Sequence, residues 1–273
     1  MTVFLRVVCV AALALTAGAE PTFRDEWDYL KRKWREDVSD PATGLDASSL
    51  RRELAERMPV WKAAMPWADA KAKAFAYLCD RTAIDVSPLD WFPTFARWTR
   101  HTTNLHPFWP HLEARRREVV STWAYSPRKY RMYYSGYQDF DHSAPDWDDI
   151  LKLGFPGMAA RLAACEKAST FYPPRRVAAD AVLRLLDRFI ACGAARLASA
   201  AACVPGEARG RLEKQLASLR RLRAGAPATA YDALVFIYLY WVMSENFEGI
   251  QVRTLGNLDR LITPFYRADL AAG

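Results

Sequence analysis

His142 carries a side chain whose charge changes near neutral pH, which makes it a candidate for proton transfer. Asp141 precedes it directly and Asp146 follows four residues later, so carboxylates are available to orient its ring. Taken alone, these neighbours favour a histidine that is hydrogen-bonded for structural reasons. Asp146 follows Pro145 and is of a type that caps helix N-termini, so it predicts a helix that begins at Trp147.

A second group of polar residues lies in a short run near the end of the sequence. The run Ile250–Leu255 contains β-branched residues and is bracketed by Gly249 and Gly256. Glycines at both ends permit turns or a close approach of the backbone to another group. The run predicts a strand, and its residues alone favour a plain structural strand over a binding site.

The histidines and cysteines do not predict a metal centre. His101, His106 and His111 are five residues apart, which puts neighbours about 140° apart on an ideal helix. Pro107 and Pro110 would interrupt such a helix as well. No cysteine pair has the CxxC spacing of a zinc site. We expect reduced and mostly buried thiols at all five positions: Cys9, Cys79, Cys165, Cys192 and Cys203.

The charge balance does not point to nucleic acid or to a membrane span. With 38 Lys and Arg against 31 Asp and Glu, the formal net charge is +7. The basic residues are spread over helical stretches that also carry acids, which is typical of solvated helix faces. The longest apolar run, Ala233–Met243, is far shorter than the roughly 20 residues of a membrane span. We therefore expect neither a nucleic-acid partner nor a membrane partner.

Hydrophobic spacing predicts that helices dominate the chain. Apolar residues recur at intervals of three and four in several stretches, and 13% of all residues are aromatic. Thr229 stands three residues before Asp232, the spacing of a capping box at the start of the run Ala233–Met243. Pro59 and Pro66 should limit the extent of the second helix. The apolar positions that define the helices are Trp27, Leu30 and Trp34; Leu50, Leu54 and Met58; Val182, Leu185, Leu186, Phe189 and Ile190; and Leu212, Leu216, Leu219 and Leu222.

Residues 1–22 form a leader whose sequence permits two interpretations. Val7–Leu15 is apolar, and Ala17-Gly18-Ala19 has the small-x-small form of a secretory cleavage site. The same residues could instead form a buried strand or helix that leads into the body of a cytoplasmic protein. We expect a cytoplasmic protein, with secretion as the alternative.

Two stretches of the sequence resemble the glycyl radical enzymes of the pyruvate formate-lyase type. The first, His142–Gly157, is similar to the family's pattern of His, Pro-Asp, an aromatic residue, Leu and Gly. The second, Ser244–Leu270, resembles the family's glycine-containing strand followed by a Pro-aromatic-Tyr helix start. Its matching residues are Gly256, Asp259, Pro264, Phe265, Tyr266, Asp269 and Leu270.

This resemblance implies a mainly α fold: the helical N-terminal part of a glycyl radical enzyme α/β barrel, with one or two short strands and the barrel incomplete. Residues 23–273 would form a partial pyruvate formate-lyase-type domain after the leader. In the family, the loop and strand that correspond to our two stretches lie near the substrate. The resemblance therefore implies substrate-binding roles for His142 and Gln251, and for Arg253 unless it faces the opposite side.

The residues that perform the family's chemistry have no counterpart in this sequence, so we predict no catalytic residue here. The family stores a radical on a glycine in an Arg-Val-x-Gly-Tyr loop and transfers it to an active-site cysteine. Gly136 lacks the Arg-Val pair before it, and Cys165 continues a helical pattern and lacks the preceding glycine. We therefore expect a chain without a bound cofactor that is inert alone, although the complete enzyme would cleave C–C, C–O or C–N bonds.

The resemblance also implies partners. The complete enzyme, of the formate acetyltransferase or dehydratase class, would act on a small-molecule substrate, and a radical S-adenosylmethionine activase would install its glycyl radical. A homodimer or a complementing chain is consistent with the same resemblance. Two alternatives remain open: a stand-alone helical partner or regulatory protein that completes a barrel with a second chain, and a secreted helical protein. The sequence does not determine the substrate.

Overall fold

Helices make up most of the fold. The computed structural model describes residues 21–35, 46–95, 105, 144–199, 206–248 and 254–273. These ranges hold α1 (Phe23–Arg35), α2 (Ala47–Ala64), α3 (Trp67–Arg81), α4 (Trp147–Cys165), α5 (Tyr172–Ser199), α6 (Gly206–Ala224), α7 (Ala230–Met243) and α8 (Leu258–Ala272). The prediction of a mainly helical fold with an incomplete barrel is confirmed, since these ranges contain no closed barrel.

The strands of the described ranges are very short. β1 (Ile84–Asp85) pairs antiparallel with β2 (Thr94–Phe95), and Ile84 lies opposite Phe95. The strand predicted at Ile250–Leu255 falls mostly on residues 250–253, which lie outside the described residues. The short hairpin instead folds the chain back after α3 and supplies Phe95 to the core, where its ring lies 4.8 Å from that of Phe247.

α7 is the most deeply buried helix of the described ranges, and its start follows the capping box predicted from the sequence. The Thr229 hydroxyl accepts a hydrogen bond from Asp232 N, while the Asp232 carboxylate accepts one from Thr229 N. Each side chain thus satisfies a backbone N–H that the first helical turn leaves free. Phe236 is fully buried, 4.2 Å from the ring of Phe155 in α4. Among the described helices, none is both long and apolar enough to cross a bilayer.

α5 is the longest described helix and packs against α3, α4 and α6. Leu185 and Phe189 are buried on the face that the predicted apolar spacing defines. Arg188 reaches across to the end of α3 and donates to the carbonyl oxygens of Cys79 and Thr82 at 2.6 and 2.9 Å. These bonds satisfy acceptors that the end of a helix leaves without intrahelical partners.

Gly154 allows α4 to approach the turn before α7. Its φ of 62° lies in the left-handed region, so the backbone bends in the middle of α4. A Cβ atom at this position would lie 2.6 Å from Gly225 O and 2.7 Å from Ala226 Cα, distances that only glycine avoids. The glycine of the first family-like stretch therefore has a packing reason to be there.

Two proline positions correct the sequence-based interpretation. Pro59 does not limit the second helix as predicted, because α2 continues through it to Ala64, although the helix does end just before Pro66. The Pro264 segment does not start a helix either, because α8 already begins at Leu258 and contains Pro264. Pro264 is the seventh residue of α8, so it removes one intrahelical hydrogen bond and its ring crowds the carbonyl four residues earlier.

α1 contacts the rest of the protein in a different way. Among its residues whose side chains are described, only Lys33 is buried, while Trp27 and Leu30 are exposed. An amphipathic helix normally turns its apolar face towards the core. Here polar side chains make the contact, and the apolar face remains uncovered in the described part of the chain.

Candidate functional site

The three candidate substrate-binding residues lie outside the described residues. His142 is in the range 106–143, and Gln251 and Arg253 are in the range 249–253. Their roles thus stay predictions. The segments that flank them are described, and these segments show whether the two family-like stretches are close in space.

The two stretches meet at Trp147. Trp147 begins α4, five residues after His142, and Asp146 caps this helix as predicted, because Asp149 N donates to its carboxylate at 3.2 Å. The indole Nε1 of Trp147 donates a long hydrogen bond of 3.5 Å to the carbonyl oxygen of Thr254. The structure thus brings the residues that follow His142 in the sequence into contact with those that follow the 249–253 segment.

An ion pair joins the same two stretches on the surface. Arg260 in α8 donates to both oxygens of Asp148 in α4, at 3.1 and 2.7 Å. The hydrogen bond from Arg260 lowers the pKa of the Asp148 carboxyl, and the guanidinium charge lowers it further. Gly256, with φ 62°, makes the turn between Thr254 and α8, and Gly256 N donates to the Thr254 hydroxyl at 2.9 Å.

Trp147 also packs on α7, so the contact between the two stretches lies against a helix that forms part of the core. Its ring lies 5.3 Å from the ring of Tyr240 in an edge-to-face arrangement. One turn further along, α7 passes into a π-helical turn, Ser244–Glu248, that ends where the 249–253 segment begins. The described residues next to both candidate segments therefore lie at one end of the α4 and α7 pair.

A cavity of about 220 Å³ lies beside this end of the pair. Its wall is almost entirely apolar and includes Phe75, Phe155, Met158 and Met243, with the Glu248 carboxylate at one side. Such a space accepts a small apolar group, and its wall offers few polar contacts for orienting one.

Two polar side chains at the cavity have contacts within the protein. Glu248 pairs with Lys71 of α3 in a close ion pair. The Ser244 hydroxyl donates to Tyr240 O at 2.9 Å, one turn earlier in the chain. A general base needs a free acceptor near a substrate proton. These contacts therefore favour a structural role for both residues in this state of the protein.

Cys79 is a poor candidate for nucleophilic chemistry. Cys79 is fully buried, and burial raises the pKa of its thiol well above the usual value. A thiol in such surroundings is inert because the thiolate is the reactive form. Cys165 and Cys192 are partly exposed at two helix surfaces and free of disulfides. Cys9 and Cys203 lie outside the described residues.

The sequence analysis missed a buried polar cluster, here termed the polar clamp: Tyr29, Lys33, Asp85, Asp90 and Arg196. Lys33 Nζ donates to Tyr29 Oη at 2.7 Å, to Asp85 Oδ2 at 3.2 Å and to Asp90 Oδ2 at 2.6 Å. Arg196 of α5 donates to the other Asp85 oxygen at 3.0 Å. The three ammonium protons of Lys33 thus have one acceptor each.

The two carboxylates of the polar clamp are electrostatically different. Burial alone raises the pKa of Asp85, but Lys33 and Arg196 outweigh it and hold the pKa below the usual value. Burial prevails at Asp90, whose pKa is raised, because Lys33 is its main cation and the Asp85 charge opposes its ionisation. Two cations against two carboxylates make the polar clamp internally neutral, which favours a structural role over catalysis.

Sequence reasoning could not find the polar clamp because its acids lie more than fifty positions from Lys33 and Tyr29. The neighbours Lys31 and Arg32 suggest a solvent-facing side of the first helix for Lys33. The single local signal is the pair Asp85 and Asp90, two acids that bracket a short turn in an otherwise apolar segment. Their partner on α1 is set by the tertiary structure alone.

Comparison with known proteins gives a family and a fold. The sequence profile of the family described as pyruvate formate lyase-like matches residues 100–273, more than half of the chain. No curated protein sequence matches this chain significantly.

Solved glycyl radical enzymes share the fold. A glycyl radical enzyme from Archaeoglobus fulgidus superposes with a TM-score of 0.61 at 16% identity, over 91% of this chain and 37% of its own. Hydroxyproline dehydratase from Clostridioides difficile gives 0.63 at 14% identity, over 93% and 38%. The B12-independent glycerol dehydratase from Clostridium butyricum gives 0.53 at 9% identity, over 85% and 37%. This chain thus spans less than two fifths of the length of these relatives.

Proposed function

This chain belongs to the pyruvate formate lyase-like family. From that premise we propose that it is the N-terminal helical portion of a glycyl radical enzyme and contributes part of the substrate-binding site. The observation that carries the proposal is the contact between Trp147 and Thr254, because each of these residues lies close in sequence to one of the two segments that hold the candidate residues. The complete enzyme would cleave a C–C, C–O or C–N bond by radical chemistry.

The candidate residues suit binding and orientation of a small polar substrate. His142 can donate or accept a proton near neutral pH, and Gln251 offers an amide that both donates and accepts. Arg253 can bind a carboxylate with two parallel hydrogen bonds. Two of the similar structures are a hydroxyproline dehydratase and a glycerol dehydratase, whose names indicate hydroxyl-bearing substrates. A substrate with hydroxyl or carboxylate groups fits the proposed residues.

The residues of this sequence do not include those that would carry the radical. The sequence contains no Arg-Val-x-Gly-Tyr loop and no Gly-Cys-x-Glu loop. The chain's own contribution would thus be to bind and orient the substrate, and alone it would be inert. Segments that carry the two loops, and a radical S-adenosylmethionine activase, would supply the rest. The glycyl radical of such an enzyme is sensitive to oxygen, which favours the cytoplasm as its location.

Inertness can be tested by electron paramagnetic resonance. The chain is incubated anaerobically with a radical S-adenosylmethionine activase, S-adenosylmethionine and a reductant, beside a complete glycyl radical enzyme as the positive control. We expect an organic radical signal from the complete enzyme only. A glycyl radical on this chain alone would contradict the proposal.

The binding roles can be tested in the assembly that carries both loops. His142→Ala, Gln251→Ala and Arg253→Ala should each raise KM for the substrate at least about tenfold, since each removes a hydrogen-bonding or charged group. Arg267→Ala, at an exposed position of α8, is the matched control and should leave KM unchanged. Unchanged KM values in all three variants would refute the site while leaving family membership intact.

A second candidate function is that of a partner chain that completes a barrel with another polypeptide. The specific observation is α8, in which Leu261 is buried while Tyr266 and Leu270 are 56% and 64% exposed. Large uncovered apolar side chains in a row mark a surface that contacts further protein. The test is co-purification with a chain that carries the radical glycine loop. Leu270→Asp should abolish capture, and Phe171→Asp, at an exposed aromatic residue before α5, should not.

A further inference from the structure

α1 carries an apolar stripe that the described part of the chain leaves largely exposed. The apolar stripe consists of Phe23, Trp27 and Leu30, which are 81%, 51% and 44% exposed. Their spacing of four and three places them on one helix face, and the rings of Phe23 and Trp27 stack with centroids 6.4 Å apart. The stripe thus behaves as one continuous apolar surface on the outside of the protein.

The polar clamp explains why the body of the protein does not cover the apolar stripe. At about 100° per residue, Tyr29 and Lys33 point roughly a quarter to a third of a turn away from the stripe. Lys33 is buried against Asp85 and Asp90, so the rotation of α1 about its own axis is fixed. An ion pair between Arg211 of α6 and Glu26, at 2.7 Å, holds the same side of α1. The stripe is therefore held to one side of the contact with α6 and the hairpin.

The sequence immediately before α1 supplies a matching apolar segment. Val7–Leu15 contains nine uncharged apolar residues, too few for a bilayer, which takes about 20. Seven residues, Thr16–Thr22, separate this segment from α1, and Gly18 and Pro21 among them favour a reversal of the chain. Helix connections of about two to eight residues commonly return a segment alongside its neighbour.

The start of α1 is fixed in a way that suits such a return. The Thr22 hydroxyl accepts from Asp25 N at 3.3 Å, and Thr22 N donates to the Asp25 carboxylate at 2.8 Å. This reciprocal capping ends the connection sharply at the residue before Phe23. Phe23, the most exposed member of the apolar stripe, is therefore the member nearest to the connection.

We propose that the apolar stripe of α1 is the docking surface for residues 7–15 of the same chain. A tethered segment reaches its site at a high effective concentration, which a separate partner does not have. The segment and the stripe are both uncharged and apolar, so their contact removes two exposed apolar surfaces from water and strands no charge. The leader is then a retained part of the fold and not a cleaved signal.

Cys9 offers a direct test because it lies inside the proposed occupant. In the full-length chain, Leu30→Cys places a second thiol on the apolar stripe. Under mild oxidation we expect an intramolecular disulfide between Cys9 and the introduced thiol, identified by peptide mass spectrometry. Phe171→Cys is the matched control, because Phe171 is 52% exposed and lies on another part of the surface. Cys9 should form its disulfide at least about ten times faster in the Leu30→Cys chain than in the Phe171→Cys chain.

Protection of the introduced thiol gives a second measurement in the same chain. Val10→Asp with Leu13→Asp should weaken the contact, because it places two charges in the apolar segment. The maleimide labelling rate of the thiol introduced at position 30 should then rise at least about tenfold, and that of the control thiol at position 171 should stay unchanged. Equal maleimide labelling rates at position 30 with and without the two aspartates would overturn the proposal. This holds whatever the disulfide test gives, because labelling does not depend on the geometry of a disulfide.

The other occupants give different results. In the Leu30→Cys variant, the disulfide from Cys9 to position 30 could instead join two chains, which a denaturing gel shows as a dimer. That result would overturn the proposal and assign the stripe to a second copy of the chain. Protection of the thiol at position 30 only in the presence of vesicles containing phosphatidylglycerol would assign the stripe to a lipid surface. A purified chain whose N-terminus is Glu20 would show that the segment is removed, and would overturn the proposal outright.

Discussion

α7 and α1 are attached to the same protein by opposite means. Eight residues of α7 are buried, and its contacts are mostly apolar, such as Phe236 against Phe155. α1 buries Lys33 among its described side chains and makes its contacts through the polar clamp. Apolar burial gains free energy from every contact without regard to direction, whereas the polar clamp depends on a few aligned partners.

This difference separates a core that is robust to solvent conditions from a periphery that is sensitive to them. Loss of one apolar contact in α7 leaves its neighbours intact but creates a cavity in a packed interior. Loss of one member of the polar clamp leaves the others buried without compensation. We therefore expect substitutions in α7 to affect global unfolding, and substitutions in the polar clamp to release α1 by itself.

The largest expected effect comes from Phe236→Ala in α7. Removal of a fully buried ring that packs on Phe155 should lower the free energy of unfolding by about 4 kcal/mol, because it loses transfer energy and leaves a cavity. The measurement is urea denaturation followed by far-ultraviolet circular dichroism. Trp241→Ala, at the exposed side of α7, is the control and should cost much less. Equal costs would show that α7 is not the centre of the core.

Lys33→Met should have the next largest effect, and a local one. It leaves Asp90 buried without its main cation, which should cost about 3 kcal/mol. We expect faster amide hydrogen exchange throughout α1 and unchanged exchange in α7. Lys31→Met is the control, because the Lys31 side chain is 43% exposed and pairs with Asp28 in the neighbouring turn of the same helix. Global destabilisation by Lys33→Met would contradict the idea that α1 is an independent unit.

Acid should weaken the attachment of α1 to the rest of the protein. The pKa of Asp85 is lowered in the folded protein because Lys33 and Arg196 outweigh its burial. Its contribution to stability is therefore complete above the unfolded pKa of about 3.9 and is lost as pH falls through the lower folded value. Exchange rates of α1 amides, corrected for intrinsic rates, should rise in that range. Asp85→Asn should remove the pH dependence, and its persistence would assign it to another group.

The helix cap of α7 offers a smaller effect within the core. Thr229→Ala removes the hydroxyl that accepts from Asp232 N, and should cost about 1 kcal/mol. Thr229→Ser keeps the acceptor and should be nearly neutral. The midpoint of urea denaturation distinguishes the two variants. A serine variant as unstable as the alanine variant would mean that the Thr229 methyl group, and not the cap, matters.

The smallest effect is expected from Arg260→Met, which removes the ion pair with Asp148 between α8 and α4. Both side chains are at least half exposed, so water and salt screen the pair. We expect no measurable change in Tm at physiological ionic strength. A clear decrease would show that this pair, and not Trp147, holds the two family-like stretches together.

Local signals are sufficient wherever the cause is local. The capping box of α7 is predictable because Thr229 and Asp232 are three residues apart, and the start of α4 because Asp146 precedes Trp147. The continuation of α2 through Pro59 is not predictable from local signals. The packing of the whole helix decides whether it tolerates the loss of one backbone hydrogen bond. The contact between Trp147 and Thr254 is not predictable either, although the resemblance sets both stretches near the substrate.

The sequence by itself determined the helical class, the main helix positions and the resemblance to glycyl radical enzymes, because hydrophobic period, caps and motif spacing act over a few residues. The apolar spacing also predicted the buried faces of α2, α5 and α6, whereas only the tertiary structure decided which face α1 buries. Lys33 and Leu30 stand three positions apart on α1, yet the ion is buried and the leucine is exposed. The reason is that Asp85 and Asp90, more than fifty residues away, together compensate the cost of burying a charge, and no local pattern contains that information.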